Sequence, residues 1–178
     1  NQASGHAATA VGGGQNTAGG AYATIGGGLG NITNAGYATI GGGGRTDALN
    51  SATANRVTDD YGTVSGGGNN QAGDNAGATG DRTYATVSGG ESNTASGAFA
   101  SVGGGSENTA SGGTAIVGGG EQNLASGGWA VVGGGTGNIA SGLAAGVLGG
   151  SSNTASGSFA SVGGGFGNTT TAAYTTIA

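Results

Sequence analysis

Residues 93–105 read NTASGAFASVGGG, and copies of this stretch recur along the whole chain. The phrase Asn-x-Ala-Ser-Gly starts at Asn1, Asn93, Asn108, Asn123, Asn138 and Asn153, and looser copies start at Asn16, Asn31 and Asn168. Successive starts follow one 15-residue period from Asn93 to Asn168 and from Asn1 to Asn31. Self-similarity at one fixed period is typical of repeat architectures, in which each repeat packs on its neighbours.

Two longer repeats separate these regular runs. Asn55 and Asn70 restore the register, so one long repeat runs from Asn31 to Ala54 and the other runs from Asn70 to Ser92. The extra residues lie near 46–54 and 75–82, and we expect them to loop off the repeat array. The sequence therefore predicts ten complete repeats and an incomplete eleventh, forming a single domain over 1–178. Positions in a repeat are numbered below from 0 at its Asn, with the two insertions left out.

Composition excludes several classes of protein. Gly accounts for 48 of 178 residues, Pro, Cys and Met are absent, and Leu, Ile, Val and Phe total only 24. This is about 13% of the chain, too little for an ordinary globular core. The net charge is −5 with only three Arg and no Lys. The chain therefore has no basic surface that could bind the phosphate backbone of a nucleic acid. Because the sequence starts at Asn1 and contains no Met, we expect it to be a fragment of a longer chain.

Apolar residues two positions apart predict a short β-strand in each repeat. Position 7 is mostly Ala and position 9 is Val or Ile, with Ser or Thr often between them, as at Ala100 and Val102. This alternation is typical of a strand with one buried side. Positions 10–12 are usually glycines, which permit a tight corner. A helix is excluded because glycine at this density disfavours it. The sequence thus predicts an all-β parallel β-solenoid (β-roll) of about eleven 15-residue coils.

The repeated Asn forms a column in such a solenoid. We interpret it as structural, either as an amide ladder between coils or as a cap of the corner backbone. These two interpretations are compatible. The residues of this predicted column are Asn16, Asn31, Asn93, Asn108, Asn123, Asn138, Asn153 and Asn168.

The repeats resemble the head repeats of trimeric autotransporter adhesins, the YadA-like or haemagglutinin-type β-roll. The resemblance lies in Asn-Thr-Ala-Ser-Gly followed by x-aromatic-Ala-x-Val-Gly, at 93–103 and 153–163. It implies a left-handed β-roll, three chains around one axis, and a place outside a bacterial cell. It also implies attachment to host matrix, carbohydrate or other surfaces, with no catalytic residues. The 15-residue spacing and the two insertions depart from the usual pattern of that family.

Position 6 collects eight of the nine aromatic residues. Strand alternation places position 6 on the side opposite Ala at 7 and Val at 9, so we expect the rings to point out of the coil. An apolar stripe of this length favours self-association, as a homotrimer or a filament. The alternative is an aromatic ladder that stays half exposed. The predicted self-association residues are Tyr22, Tyr37, Tyr61, Tyr84, Phe99, Trp129, Val131, Phe159 and Tyr174.

Most charged residues lie between residues 45 and 82. All three Arg are there, with five of the eight acidic residues. Four of these carboxylates are candidate ligands for Ca²⁺, which prefers oxygen donors: Asp59, Asp60, Asp74 and Asp81. The alternative, which we favour, is a pair of exposed loops whose Arg and Asp side chains pair with each other. No catalytic residue, cofactor-binding residue or resident cofactor is predicted.

The sequence therefore favours a non-enzymatic extracellular structural or adhesive protein: a surface fibre, a filament or an adhesin head. A second candidate is a solenoid that binds ice or another crystal surface. Its support is a partial Thr column at position 8, formed by Thr24, Thr39, Thr63, Thr86 and Thr176. A carbohydrate-cleaving solenoid is disfavoured because the regular coils offer no cleft lined by acidic and basic residues.

Overall fold

The computed structural model describes residues 1–178 as a β-solenoid built from two parallel sheets of eleven strands each. Every coil contributes one strand to each sheet, and every strand is two residues long. The first sheet holds β1 Gln2–Ala3, β3 Thr17–Ala18, β5 Ile32–Thr33, β7 Arg56–Val57, β9 Gln71–Ala72, β11 Thr94–Ala95, β13 Thr109–Ala110, β15 Leu124–Ala125, β17 Ile139–Ala140, β19 Thr154–Ala155 and β21 Thr169–Thr170. The second sheet holds β2 Thr9–Ala10, β4 Thr24–Ile25, β6 Thr39–Ile40, β8 Thr63–Val64, β10 Thr86–Val87, β12 Ser101–Val102, β14 Ile116–Val117, β16 Val131–Val132, β18 Gly146–Val147, β20 Ser161–Val162 and β22 Thr176–Ile177.

The predicted solenoid of eleven 15-residue coils is confirmed, and its register is exact. Position 8 pairs with position 8 of the next coil, as in Ser101 with Ile116. The sequence predicted one strand in each coil, at positions 7–9, whereas each coil has a second strand at positions 1–2, and these second strands form the first sheet. A third column, of single bridges at position 13, links coils from Gly14 to Phe166. Each coil is therefore held to its neighbours along three lines.

Both insertions interrupt the connections and leave the sheets in register. Across the first insertion Ile32 pairs with Arg56, and across the second Thr63 pairs with Thr86. The first insertion contains the one helical element, a 3₁₀-helix at Ser51–Thr53 that is capped by the Asn50 side chain. This short helix could not cross a membrane, and the chain has no longer apolar helix that could. The extra residues are thus accommodated outside the stacked coils.

The core is a thin column of small side chains. It consists of 26 buried residues, almost all Ala from positions 2 and 7 and Val or Ile from position 9. In one coil a larger core residue is matched by a smaller one. Val57 replaces the usual Ala at position 2, and Gly62 replaces the usual Ala at position 7. A Cβ on Gly62 would lie 2.5 Å from Val57 Cγ1. Because close-packed interiors have a fixed volume, the larger residue requires the smaller one.

The Asn side chains form a buried ladder between coils. Asn123 is representative: its Nδ2 donates to Gly119 O at 3.0 Å and to Gly135 O at 2.8 Å, and its Oδ1 accepts the Asn138 N–H at 2.9 Å. The bond to Gly119 O satisfies a carbonyl that accepts no backbone N–H, whereas Gly135 O also accepts the Glu121 N–H. An unpaired polar group in such a buried place is costly. Amide ladder and corner cap are therefore the same feature. Asn55 and Asn70 belong to it as well.

Two corner positions adopt left-handed backbone conformations with side chains other than Gly. Position 6 has φ between 52° and 65° in every coil, including those of Tyr61 and Trp129, and most residues at position 14 are similar, including Glu107. This conformation costs roughly 1–2 kcal/mol for an L residue. The left-handed conformation reverses the direction in which the backbone N–H points. Strand N–H groups donate to the next coil, whereas the Trp129 N–H donates to Gly113 O of the preceding coil at 2.9 Å. The corners thus satisfy donors that strands alone would leave unpaired.

Candidate functional site

The strained corner at position 6 carries the aromatic residues as a stacked ladder. Tyr22, Tyr37, Tyr61, Tyr84 and Phe99 stack on consecutive coils, with ring centroids 4.8–5.1 Å apart and planes within 11° of parallel. His6 meets the Tyr22 ring edge-on at 5.4 Å. Each stacked pair contributes about 0.5–1.5 kcal/mol, which offsets the cost of the left-handed backbone. The rings point outwards as predicted, although a corner rather than strand alternation places them there.

The ladder stops in the regular half of the chain. Position 6 is Thr114, Trp129 and Ala144 in three successive coils, and stacking resumes only between Phe159 and Tyr174. Exposure of the position 6 rings runs from 43% for Tyr61 to 78% for Tyr174. Val131, on the outer side of the second sheet, is also exposed. A single chain therefore leaves all the predicted self-association residues at least partly in contact with water.

Three of the four candidate Ca²⁺ ligands come together beside the second insertion. One carboxylate oxygen each from Asp59, Asp74 and Asp81 lies within 4.8 Å of the others. Asp60 lies apart from this cluster, and its carboxylate accepts the Gly36 N–H at 2.7 Å. The four acidic residues were predicted as one group from their residue type and their place in the chain. Such a prediction could not show that the neighbouring Asp59 and Asp60 have different partners.

Asp59 is a buried carboxylate that fastens the second insertion to the rod. Its Oδ2 accepts the Asp74 N–H at 2.9 Å and the Thr58 hydroxyl at 3.1 Å, and its Oδ1 accepts the Arg82 N–H at 3.3 Å. Asp74 and Arg82 bracket the insertion, so one side chain holds both of its ends. Burial raises the pKa of Asp59 above its ordinary 3.8 and outweighs the opposing effect of these hydrogen bonds. This clamp was not predictable from the sequence, because it depends on contacts across the insertion.

The donors around this cluster fit a clamp better than a calcium site. Both oxygens of Asp59 already accept backbone N–H groups, and Arg82 Nε lies 3.4 Å from Asp74 Oδ2. Ca²⁺ needs six to eight oxygen ligands free to turn towards it. We therefore assign Asp59 and Asp74 a structural part. The Arg82–Asp74 pair is the one ion pair in the chain, while Arg45 and Arg56 donate to neutral oxygens.

The chain has one pocket, a groove of about 220 Å³ beside this clamp. Its floor is the outer side of the first sheet, with Ile32 from β5 and Arg56 and Thr58 from β7 and the following residue. Its wall is the second insertion, including Asn75 and Thr79. Sequence reasoning located the distinctive segment at 45–82 but did not predict a groove, because the insertion folds back over a neighbouring coil.

No family model matches the chain, and no curated protein matches it.

Proposed function

We propose that this chain is a non-enzymatic structural and adhesive protein of the extracellular surface, whose rods associate with one another along the second sheet. The observation that carries the proposal is the apolar surface formed by the position 6 corner and by the part of the second sheet that contains Ile116 and Val131. Its exposed members include Phe99, Ile116, Trp129, Val131, Leu148 and Phe159. A thin core of Ala and Val cannot accommodate these larger side chains, so only a neighbouring molecule can cover them.

The length of the surface supports association. Coils about 4.8 Å apart give eleven coils a rod of roughly 50 Å. Exposed aromatic side chains recur along most of such a rod, whereas monomers usually expose apolar patches of only a few hundred square ångströms. A homotrimer around this side, as the resemblance to adhesin heads implies, or a filament of rods would bury it. Placement at the bacterial cell surface rests on the same resemblance.

A column of glycines two residues after the second sheet also supports a close neighbour. Position 11 is Gly in all ten coils that contain it: Gly12, Gly27, Gly42, Gly66, Gly89, Gly104, Gly119, Gly134, Gly149 and Gly164. A Cβ on Gly119 would come no closer than 3.9 Å to another atom, and one on Gly42 would meet nothing within 4 Å. By contrast, a Cβ on Gly112, at position 4, would lie 2.0 Å from Gly127 O. Gly112 therefore has no room for a side chain, whereas Gly119 and Gly42 have room for one, and glycine at these open positions suits close approach of a second backbone.

Native mass spectrometry and electron microscopy test this association. We expect trimers or filaments at micromolar concentration, and we expect Gly119→Leu and Val131→Lys to reduce them to single chains with an unchanged circular dichroism spectrum. Leu124→Lys is the matched control, because Leu124 lies on the outer side of the first sheet. A monomer of 16.0 kDa at high concentration would contradict the proposal.

One observation favours the second candidate, binding to ice or another crystal surface. Thr9, Thr24, Thr39, Thr63 and Thr86 pair in register on five consecutive coils and form a row of hydroxyls on the second sheet. The row ends at Ser101 and Ile116. Thermal hysteresis at micromolar protein that is lost in Thr63→Leu would support this function, and absence of hysteresis would contradict it.

A further inference from the structure

The groove beside the Asp59 clamp is lined by the second insertion and by Arg56, a residue that bonds to the first insertion. Arg56 Nη2 donates to Ser51 O in the first insertion at 2.8 Å, which holds the guanidinium over the floor. The second insertion is attached to the rod by Asp60 N–H to Thr79 O at 2.7 Å and by Asn75 N–H to the Thr58 hydroxyl at 3.1 Å. The second insertion therefore forms the wall of the groove, and the first insertion contributes by holding Arg56. The rest of the rod has no such pocket.

The groove offers hydrogen-bonding groups that the protein itself does not use. Arg56 donates through Nη2 alone, so Nε and Nη1 remain free, and the side-chain amides of Asn34 and Asn75 have no partner in the chain. Amides present a donor and an acceptor side by side. Ile32 adds an apolar surface at the floor. Paired donors and acceptors next to a small apolar surface match neighbouring hydroxyls on a sugar ring.

Charge around the groove disfavours an anionic ligand. Asp59, Asp74 and Asp81 cluster beside it, and they outnumber the nearby guanidinium groups of Arg56 and Arg82. A ligand carboxylate would approach this excess of negative charge and be repelled. A neutral ligand avoids that cost and still uses the donors of Arg56.

We propose that this groove binds a neutral monosaccharide unit of a surface glycan. The proposal rests on the adhesive part of the proposed function and names the class of ligand. A volume of about 220 Å³ is below the roughly 300–1,000 Å³ of pockets for drug-sized ligands, so one sugar ring fits rather than an oligosaccharide. Binding by one groove is weak, and the association of several rods provides the multivalency that strengthens attachment.

Saturation-transfer NMR with the methyl glycosides of glucose, galactose, mannose, N-acetylglucosamine and N-acetylgalactosamine tests the proposal. We expect transfer to at least one of them and at least tenfold weaker binding by Arg56→Thr. Threonine is the native residue at this repeat position in β11 and β13, so the coil tolerates it. Gln71→Thr is the matched control, since Gln71 occupies the same position on the next coil and does not line the groove. Asn75→Ala, in the wall, is expected to weaken binding as well.

Three results would overturn the proposal: no transfer to any of these sugars, equal binding by Arg56→Thr, or stronger binding of methyl glucuronide than of the neutral glycosides. None of them affects the association measured by native mass spectrometry. Rods that assemble without binding a sugar would refute the glycan site alone. Monomers that bind a sugar through Arg56 would refute self-association and leave the site in place.

Discussion

The coils that begin at Asn93 to Asn168 are regular, whereas those that begin at Asn31 to Asn70 carry both insertions, and each region interrupts a different ladder. The Asn ladder is continuous from Asn55 to the end of the chain. It breaks at the first insertion, where the buried Asn31 Oδ1 has no partner. The aromatic ladder is continuous through both insertions and breaks in the regular coils at Thr114 and Ala144.

The difference shows that columns on separate corners are stabilised independently. The first insertion enters just before Asn55 and displaces the backbone N–H that would reach Asn31, but the aromatic corner lies elsewhere on the coil. The second insertion enters next to that corner, yet the Asn93 N–H still reaches Asn70 Oδ1 at 3.0 Å. In repeat proteins stability is approximately a sum of nearest-neighbour terms, so loss of one column leaves the others intact.

Breaking the Asn ladder in the regular coils gives the largest expected effect. Asn123→Ala removes two bonds to glycine carbonyls, one bond to Asn108 Oδ1 at 3.1 Å, and the acceptor of the Asn138 N–H. Each unpaired buried group costs about 1–3 kcal/mol, so the free energy of unfolding should fall by about 4 kcal/mol. Urea unfolding followed by circular dichroism measures this loss.

The matched variant lies at the break in the ladder. Asn31→Ala removes bonds to Gly27 O and Gly43 O, but it removes no acceptor that is in use. We expect it to cost at least about 1 kcal/mol less than Asn123→Ala, the value of a typical net hydrogen bond. Equal losses of unfolding free energy in the two variants would show that the bond from Asn123 Oδ1 to the next coil, which Asn31 lacks, does not stabilise the fold.

Repairing the aromatic ladder in the regular coils should be stabilising. Thr114 already has the left-handed backbone, with φ of 60°, and lies between Phe99 and Trp129 along the column. Thr114→Phe adds two stacked contacts, so the free energy of unfolding should rise by about 1–2 kcal/mol. Thr114→Ala is the control and should change stability by less than about 0.5 kcal/mol. A destabilised Thr114→Phe variant would mean that the ladder is tolerated rather than stabilising.

Repairing the Asn ladder at the first insertion is expected to have a smaller effect. Deletion of 46–54 joins Arg45 to Asn55 and restores the 15-residue period, which allows the Asn55 N–H to reach Asn31 Oδ1. One added hydrogen bond and a shorter connection predict a gain of about 1 kcal/mol. The amide of Asn55 should then become more protected in hydrogen exchange. A large loss of stability would instead make the first insertion an essential part of the rod.

Most of the fold was predictable because it repeats, and the insertions were not predictable because each occurs only once. A side chain that recurs once in every coil, such as Val102, has the same neighbours each time, so one interpretation applies to all coils. The left-handed backbone of Tyr61 or Trp129 was not predictable, because bulky residues disfavour it and only the direction of the N–H in the stack explains it. The Asp59 clamp and the groove at Arg56 occur once and depend on contacts made by a folded-back loop. No periodicity reports such contacts.

The pH dependence of stability provides the smallest expected effect and tests the clamp itself. The pKa of Asp59 in the folded chain is above 3.8. At a pH between 3.8 and this raised pKa, Asp59 is therefore mostly protonated in the folded chain and mostly ionised in the unfolded chain. The stability that protonated Asp59 contributes is present below pH of about 4 and is lost as the pH rises through the folded pKa. Unfolding midpoints in urea, measured from pH 3 upwards, should therefore show a shallow decrease attributable to Asp59.

Asp59→Asn isolates this contribution, because it keeps the shape and cannot titrate. Its amide accepts through one oxygen only, while its NH₂ group faces N–H donors of Asp74 or Arg82, so we expect lower stability at every pH and a flatter profile. Asp60→Asn is the matched comparison, because Asp60 lies next in the chain, outside the cluster, and its variant removes the same charge. If wild-type stability rises with pH relative to Asp59→Asn, the hydrogen bonds to Asp59 outweigh its burial, and the clamp is strongest when the carboxylate is charged.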